Sequence, residues 1–410
     1  MITGLYDTVP LVSFIAVKRS LVSRHSGVFM VLVCAFCVGL VGCGSGTNRS
    51  GSQTPPPSQG VSYATPVTFS SAGTDAGSLA IADFNGDGKL DIAVSNFSSN
   101  TIAVFLNQGS GTFAAPIINS IQIPDGLGPM ALGDFNEDGK PDLIDGTVSG
   151  PQVDLVLLGV GDGTFIQSGS IPNSFGFLHG RVADLNGDKH LDFVGCSNGN
   201  MHVALGNGDG TFQPVVYLPP GPLPNTYLGC DLGDFNGDKK LDILGADLSG
   251  NLVLFAGNGD GTFQPPVAMS SVSSEPESVS AADFSGDGNM DVLVGFNAGT
   301  ALLFSGNGNG SFGNTFDVYT DLGGDGVTVL AADVNNDGEP DALVIDYTHG
   351  IFTILLNTGT GISSQSKSYT FILKPGLADI AVGDLNGDGL PDIVITNALT
   401  NELTIFLSQK

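Results

Sequence analysis

Four oxygen-bearing side chains stand at positions 1, 3, 5 and 9 of the stretch D-F-N-G-D-G-K-L-D: Asp83, Asn85, Asp87 and Asp91. Oxygens at this spacing are the donors a hard cation such as Ca²⁺ takes, with the backbone carbonyl of position 7, Lys89, as a natural fifth. Gly88, at position 6, lets the backbone turn back over an ion. The pattern returns six more times. The second copy is Asp134, Asn136, Asp138 and Asp142 with the carbonyl of Lys140. The third is Asp184, Asn186, Asp188 and Asp192 with that of His190, and the fourth Asp234, Asn236, Asp238 and Asp242 with that of Lys240. Asp283, Ser285, Asp287 and Asp291 with Asn289 follow, the serine being a shorter donor. Asp333, Asn335, Asp337 and Asp341 with Glu339, then Asp384, Asn386, Asp388 and Asp392 with Leu390, complete the set. Lys189 and Lys239 occupy position 6, where glycine is expected. A left-handed non-glycine costs about 1 kcal/mol, and an added positive charge opposes the ion, so these two loops should bind most weakly. Extracellular calcium modules typically have Kd on the order of 10⁻⁴ to 10⁻³ M.

The elements that must hold these loops are strands. The loops recur every 49 to 51 residues, a period that suggests propeller blades. Within one repeat, Ser78–Phe84 reads as a strand into the loop, Leu90–Val94 as a strand out of it, and Ser98–Asn100 as a turn. Thr101–Leu106 reads as a third strand. A Gly-rich hairpin, Asn107–Phe113, leads to an outer strand through Pro116, where the missing N–H is tolerated at a sheet edge. The hairpin recurs at 161–165, 207–212, 258–263 and 307–312. No segment after the N-terminal region has a helical period or helix caps, so the chain is expected to be all-β. The seventh repeat ends at its third strand, Thr404–Leu407, while Tyr63–Phe69 precedes the first loop as a spare strand. Pairing the two would close a seven-bladed β-propeller and remove an open edge.

Composition agrees with this. The chain of 410 residues carries 60 glycines, 13 Lys+Arg and a formal charge of -28. Such a chain does not seek nucleic acid or anionic lipid. Loop positions 1, 5 and 9 supply 21 of its 41 acidic residues. Seven Ca²⁺ would return +14, so the fold is expected to depend on calcium.

Residues 1–42 read as an export signal. Lys18, Arg19, Arg24 and His25 precede an apolar run, Gly27–Gly42, too short for a comfortable membrane span. The run ends Leu40-Val41-Gly42-Cys43, which looks like a bacterial lipobox with Cys43 as the lipidated residue; an ordinary signal peptide or a short anchor is the alternative. Residues 43–60 form a Gly/Ser/Pro-rich tether, and residues 61–410 the repeat body.

The D-x-N-x-D-G-x-x-D loops and N-G-x-G-T-F hairpins, at this period, resemble FG-GAP repeats of the VCBS type, whose relatives include the propellers of integrin alpha subunits. The resemblance covers roughly residues 61–409. It implies a seven-bladed propeller with Ca²⁺ between the first and second strands of each blade, and a partner-binding face on the opposite side. Family members are adhesion, carbohydrate-binding and scaffold modules, and a few similar propellers are polysaccharide lyases. The expected protein is therefore a monomeric, calcium-stabilised, non-enzymatic module on a bacterial cell envelope, anchored by lipid alone, with a protein or glycan partner. A polysaccharide-acting lyase or glycosidase, and a structural part of an envelope complex, are the alternatives.

Other groups point nowhere specific. The histidines make no zinc spacing and are expected at the surface. The Gly-x-Gly strings lack the strand-then-helix setting of a nucleotide site. Cys196 and Cys230 are the cysteines of the repeat body; a disulfide or two buried thiols both fit. Phe175, Phe177, His179, Arg181, Tyr227, Glu275 and Glu277 lie on connections expected near the partner face, with packing between blades as the alternative.

Overall fold

Every repeat folds into one antiparallel four-stranded sheet, and seven such sheets make the ring of a β-propeller. The computed structural model describes residues 60–123, 126–147, 152–197, 200–219, 227–271, 274–320, 326–359, 361–363 and 366–410. The expected export signal, Cys43 and the expected tether up to residue 59 lie outside the described residues. Among the described residues the one helical piece is the three-residue 3₁₀ turn Phe97–Ser99.

Blade 1 shows the plan: Ala76–Ala82 inside, then Asp91–Asn96, Thr101–Phe105 and, outermost, Ile117–Ser120. The second strand is covered on both faces by neighbouring blades. Asp91–Asn96, Asp192–Ser197, Asp242–Asp247 and Asp392–Asn397 are accordingly buried at every residue. There is no single core. Seven apolar clusters each fill one gap between adjacent blades; Leu330, Phe352, Ile380 and Phe406, for example, pack between blades 6 and 7.

The inner strands leave N–H groups facing the preceding blade. Polar side chains of the preceding blade accept them: Asp379 Oδ2 from Leu79 N at 2.8 Å, Ser78 Oγ from Met130 N at 3.2 Å, and Asp231 Oδ2 from Ala281 N at 2.8 Å. Arg181 lies in this inner ring. Its Nε donates to Asp231 Oδ1 at 2.7 Å and its Nη2 to the carbonyl of Val279 at 3.3 Å, joining blades 3, 4 and 5.

The ring closes as the spare strand required. Val67–Ser70 pairs with Glu402–Phe406 as the outer strand of blade 7. Tyr63 bridges to Ser408, and Gln409 N donates to the carbonyl of Ser62. Cys196, on the second strand of blade 3, and Cys230, on the first of blade 4, form a disulfide with Cα atoms 6.4 Å apart. One element is displaced from the sequence expectation. The outer strand of blade 1 begins after Pro116 instead of running through it, and Asn107–Gly109 with Thr112–Phe113 makes a separate small ribbon. Proline, having no N–H, ends the ribbon and starts the edge strand.

Candidate metal centres

All seven oxygen-rich loops lie on one face, each joining the inner strand of its blade to the second. The first loop shows how its chain is folded back. Asp83 Oδ1 accepts the N–H of Gly86 at 2.7 Å and Asp83 Oδ2 that of Gly88 at 2.8 Å. Asn85 Oδ1 accepts from Asp87 N, and Asp87 Oδ1 from Lys89 N. Position 6 is left-handed in every copy, including Lys189 at φ 75° and Lys239 at φ 66°. So is position 4, where Glu137 and Asn336 stand at φ 57° in place of glycine. In the sequence only position 6 stands out, by its two lysines; the recurring glycine at position 4 is the signal for the second left-handed site.

Position 9 behaves differently from positions 1, 3 and 5. Asp91 is fully buried; its Oδ2 accepts Phe84 N at 3.0 Å and its Oδ1 accepts Asn107 N at 2.7 Å. Asp142, Asp192, Asp242, Asp341 and Asp392 repeat this bracket between loop and third strand. Asp291 does so with Ser285 N and Gly306 N. Burial pushes the carboxyls of Asp91, Asp142 and Asp192 up from 3.8 to about 6 and that of Asp341 to about 7. At Asp91 the donated N–H groups oppose the rise, and the charges of Asp83 and Asp87 add to it.

The donor chemistry fits a hard cation: carboxylates, an amide and a backbone carbonyl, and in the first loop Asp83 Oδ2, Asn85 Oδ1 and Asp87 Oδ1 each accept a single N–H and keep a second lone pair. Among the described residues no three His, Cys, Asp or Glu side chains stand close enough to make a cage by themselves. An ion would therefore rely on the position 3 side chain and the position 7 carbonyl as well. In loops 1 and 2 the position 7 lysine turns to its own position 5 carboxylate, Lys89 to Asp87 at 2.6 Å and Lys140 to Asp138 at 3.1 Å. His190 Nδ1 instead meets Glu137 of the preceding loop at 2.5 Å, and this bond raises the imidazole pKa.

The hairpins latch each loop to the next blade. Gly163 N donates to the carbonyl of Phe84, Gly210 N to Phe135, Gly261 N to Leu185, Gly310 N to Phe235 and Gly111 N to Leu385. Each acceptor is position 2 of the preceding blade's loop. The residue that begins the hairpin has two forms. In blades 2 to 5 it is Gly159, Gly206, Gly257 or Gly306, pressed against the position 8 carbonyl. In blades 1 and 6 it is Asn107 or Asn357, whose side chain donates to that same carbonyl, and in blade 7 it is Ser408, whose hydroxyl donates to the position 7 carbonyl of Leu390.

The folded chain matches the FG-GAP-like repeat family over residues 83–144, 184–245, 234–294, 286–344 and 333–395. It is an FG-GAP repeat protein. No curated protein sequence matches it. Solved structures share the propeller at low identity, which establishes fold alone. An Agrocybe aegerita lectin, described by its specific recognition of non-reducing terminal N-acetylglucosamine, is 21% identical with a TM-score of 0.53. That match covers 75% of this chain and 85% of the lectin. BBS1N, solved in complex with ARL6DN, is 12% identical with a TM-score of 0.58, covering 85% and 97%. Saccharomyces cerevisiae Sqt1 is 13% identical with a TM-score of 0.53, covering 81% and 84%.

The opposite face of this FG-GAP propeller differs from expectation in several places. Phe175 is exposed, at 49%, and so is Glu275. Phe177 and Tyr227 are interior, packed on Phe193 and Phe255, and Tyr227 opens the inner strand Tyr227–Gly233 instead of lying on a connection. His179 is buried as well, and burial holds its imidazole down at about 3. His202 is fully buried, with Nε2 2.7 Å from the equally buried Asp154 of blade 2. Its place in the alternating strand Asn200–Ala204 was the available signal.

Proposed function

We propose that this FG-GAP propeller is an exported, lipid-anchored protein of a bacterial envelope that binds Ca²⁺ in its seven loops and holds a protein or glycan partner without catalysis. The observation carrying this reading is the sevenfold recurrence of one hard-donor loop, on one face of a closed ring. The ions' role in it is to brace the turn between inner and second strands, where three carboxylates otherwise repel one another. The position 1, 5 and 9 carboxylates, the position 3 oxygen and the position 7 carbonyl would hold the ion. The buried position 9 aspartate joins that loop to the third strand.

Export is supported by the basic and apolar N-terminal sequence ending at Cys43 and by the disulfide Cys196–Cys230, since such bonds persist in oxidising compartments. A protein or glycan partner is supported by propellers of similar fold, one a glycan-recognising lectin and another solved with a protein bound.

Calorimetric titration with Ca²⁺ after chelation, with circular dichroism alongside, tests the central claim. Binding of up to one ion per loop, with thermal stability gained, is expected. A stable sheet fold that binds no calcium overturns it. Separately, Cys43→Ser should release the chain from membranes, and turnover of acidic or neutral polysaccharides would refute the non-enzymatic reading.

A further inference from the structure

A propeller exposes one strand edge per blade, and proteins blunt such edges with shortness, bulges, proline or charge. Six blades here do so. Val67–Ser70 and Ile117–Ser120 are four residues long and follow Pro66 and Pro116; Val216–Tyr217 is only two. Phe165–Ser170, Val267–Ser271 and Phe312–Thr320 are broken by register shifts against their inner neighbours. Blade 6 has none of these devices. Its outer strand, Ser368–Ile372, pairs in unbroken register with Ile351–Leu355 and contains neither charge nor proline. Ile372 is 84% exposed, the most open of the large apolar side chains described.

The backbone of this strand has a defined outward set. The carbonyl of Lys367 accepts from Leu356 N, and Leu373 N donates to the carbonyl of Gly350. In an antiparallel ladder, alternate residues turn both backbone groups to the same side. Lys367, Tyr369, Phe371 and Leu373 therefore face inward, and Ser368, Thr370 and Ile372 present N–H and C=O to the outside. That set is symmetric about Thr370.

We propose that the Ser368–Ile372 edge of blade 6 is a self-association surface whose partner is a second copy of this chain. The two edges pair antiparallel about a twofold axis at Thr370. Thr370 then stands opposite Thr370, and Ser368 opposite Ile372 of the second copy. Each outward residue exchanges both backbone hydrogen bonds with its counterpart, as an isologous contact requires. In this register Lys367 faces Leu373, and Lys374 faces Ser366, so no like charges stand directly opposite. That matters in a chain of formal charge -28, whose acidic loops make most close approaches between copies repulsive. The chain also enters the body at Gly60, which is pressed against Lys367 and Tyr369. On the lipid anchoring proposed above, copies of the chain would be concentrated on one membrane surface. The contact is a single short strand pair, so the association is weak and concentration-dependent.

Cross-linking reads the register directly. The full chain is made with Cys34, Cys37 and Cys43 changed to Ser, which keeps the test independent of lipid anchoring. Thr370→Cys is then compared with Ser368→Cys under mild oxidation. Directly opposed residues in the proposed pair have Cα atoms about 5.5 Å apart, inside the range a disulfide spans. Two copies of Ser368 are offset by about 13 Å along the strands. The expected result is a covalent dimer of Thr370→Cys and none of Ser368→Cys. Adding Ile372→Lys should suppress the dimer while leaving the melting temperature unchanged. Monomer throughout, equal cross-linking of both variants, or preferential capture of a different protein when oxidation is done in an extract would each overturn the proposal.

Discussion

The residue that opens each hairpin makes a counter-intuitive prediction. At Gly206 an added Cβ would sit on the carbonyl oxygen of Leu191, far inside ordinary contact distance, and the obstacle is backbone that cannot rotate away. The N–H of Gly206 would still reach Asp192 Oδ1 at 2.8 Å, so Gly206→Ala changes only the steric term. Forcing a methyl into so tight a site costs about 1–3 kcal/mol. Gly206→Asn is larger, yet blade 1 shows how the same place accommodates it. Asn107 Nδ2 donates to the position 8 carbonyl of Leu90 at 2.9 Å and to the position 2 carbonyl of Leu385 at 2.7 Å. At Gly206 the corresponding acceptors are Leu191 and Phe135. Two such bonds at about 0.5–1.5 kcal/mol each recover about 1–3 kcal/mol. Asparagine should therefore be tolerated better than alanine, by about 1–3 kcal/mol. The midpoint of urea unfolding, followed by circular dichroism in chelator and again in calcium, measures the difference. An asparagine variant as unstable as the alanine one, or less stable, refutes the argument that a side-chain donor substitutes for close backbone approach at this position.

Other expectations concern the loops and the blades. Asp87→Ala should remove one ion from the calcium stoichiometry and lower the calcium-loaded melting temperature, while changing the chelated protein little, because Asp87 is exposed at the loop tip. Lys239→Gly should tighten the fourth loop's ion by removing a charge and a left-handed side chain costing about 1 kcal/mol; calorimetry showing unchanged or weaker binding would contradict this. In calcium-free protein, carboxyls raised to about 6 at Asp91, Asp142 and Asp192 and about 7 at Asp341 set a pH dependence. A raised carboxyl stabilises the fold fully below its unfolded value near 4, and the stabilisation is lost as pH rises through 6 to 7. Melting temperature should thus climb on acidification from pH 7 to pH 5, and a flat or opposite profile would show that these groups are not held protonated. Replacing both Cys196 and Cys230 by Ser should cost up to about 4 kcal/mol on the loop-closure estimate for their 34-residue separation, measured by denaturation under non-reducing conditions.

The ring, its closure and the left-handed lysines were legible because repetition turns weak local signals into strong ones. A single Asp-x-Asn-x-Asp is a turn; seven at one period define blades. What repetition averages away was not legible. Glu137 and Asn336 break a glycine rule visible only when position 4 is compared across copies. Asp91 reads in sequence as one more ligand, and only packing reveals that each of its oxygens also accepts an N–H, one from the loop at Phe84 and one from Asn107 beyond the third strand. His202 and Asp154 meet across two blades from strands 48 residues apart, a pairing no local pattern announces. Phe177 and Tyr227 were placed by chain order on an outer connection, but side chains of that size fill the gaps between blades before they stay in water.

The strap that completes blade 7 also orders events in time. Thr68 meets Thr404 across 336 residues, whereas most strands of the ring find their partners a few residues away. Closing so long a loop costs about 4 kcal/mol more than closing a hairpin of about five residues. The strand made first must therefore wait for the strand made last, with Val67 and Phe69 uncovered meanwhile. Blades 1 to 6 can assemble as the chain emerges, since their contacts are local. The seventh cannot, and a chain interrupted anywhere before Glu402 is left with an open wheel and two unpaired edges. Delivering the polypeptide unfolded, and letting it close only once it is whole, would suit such a design.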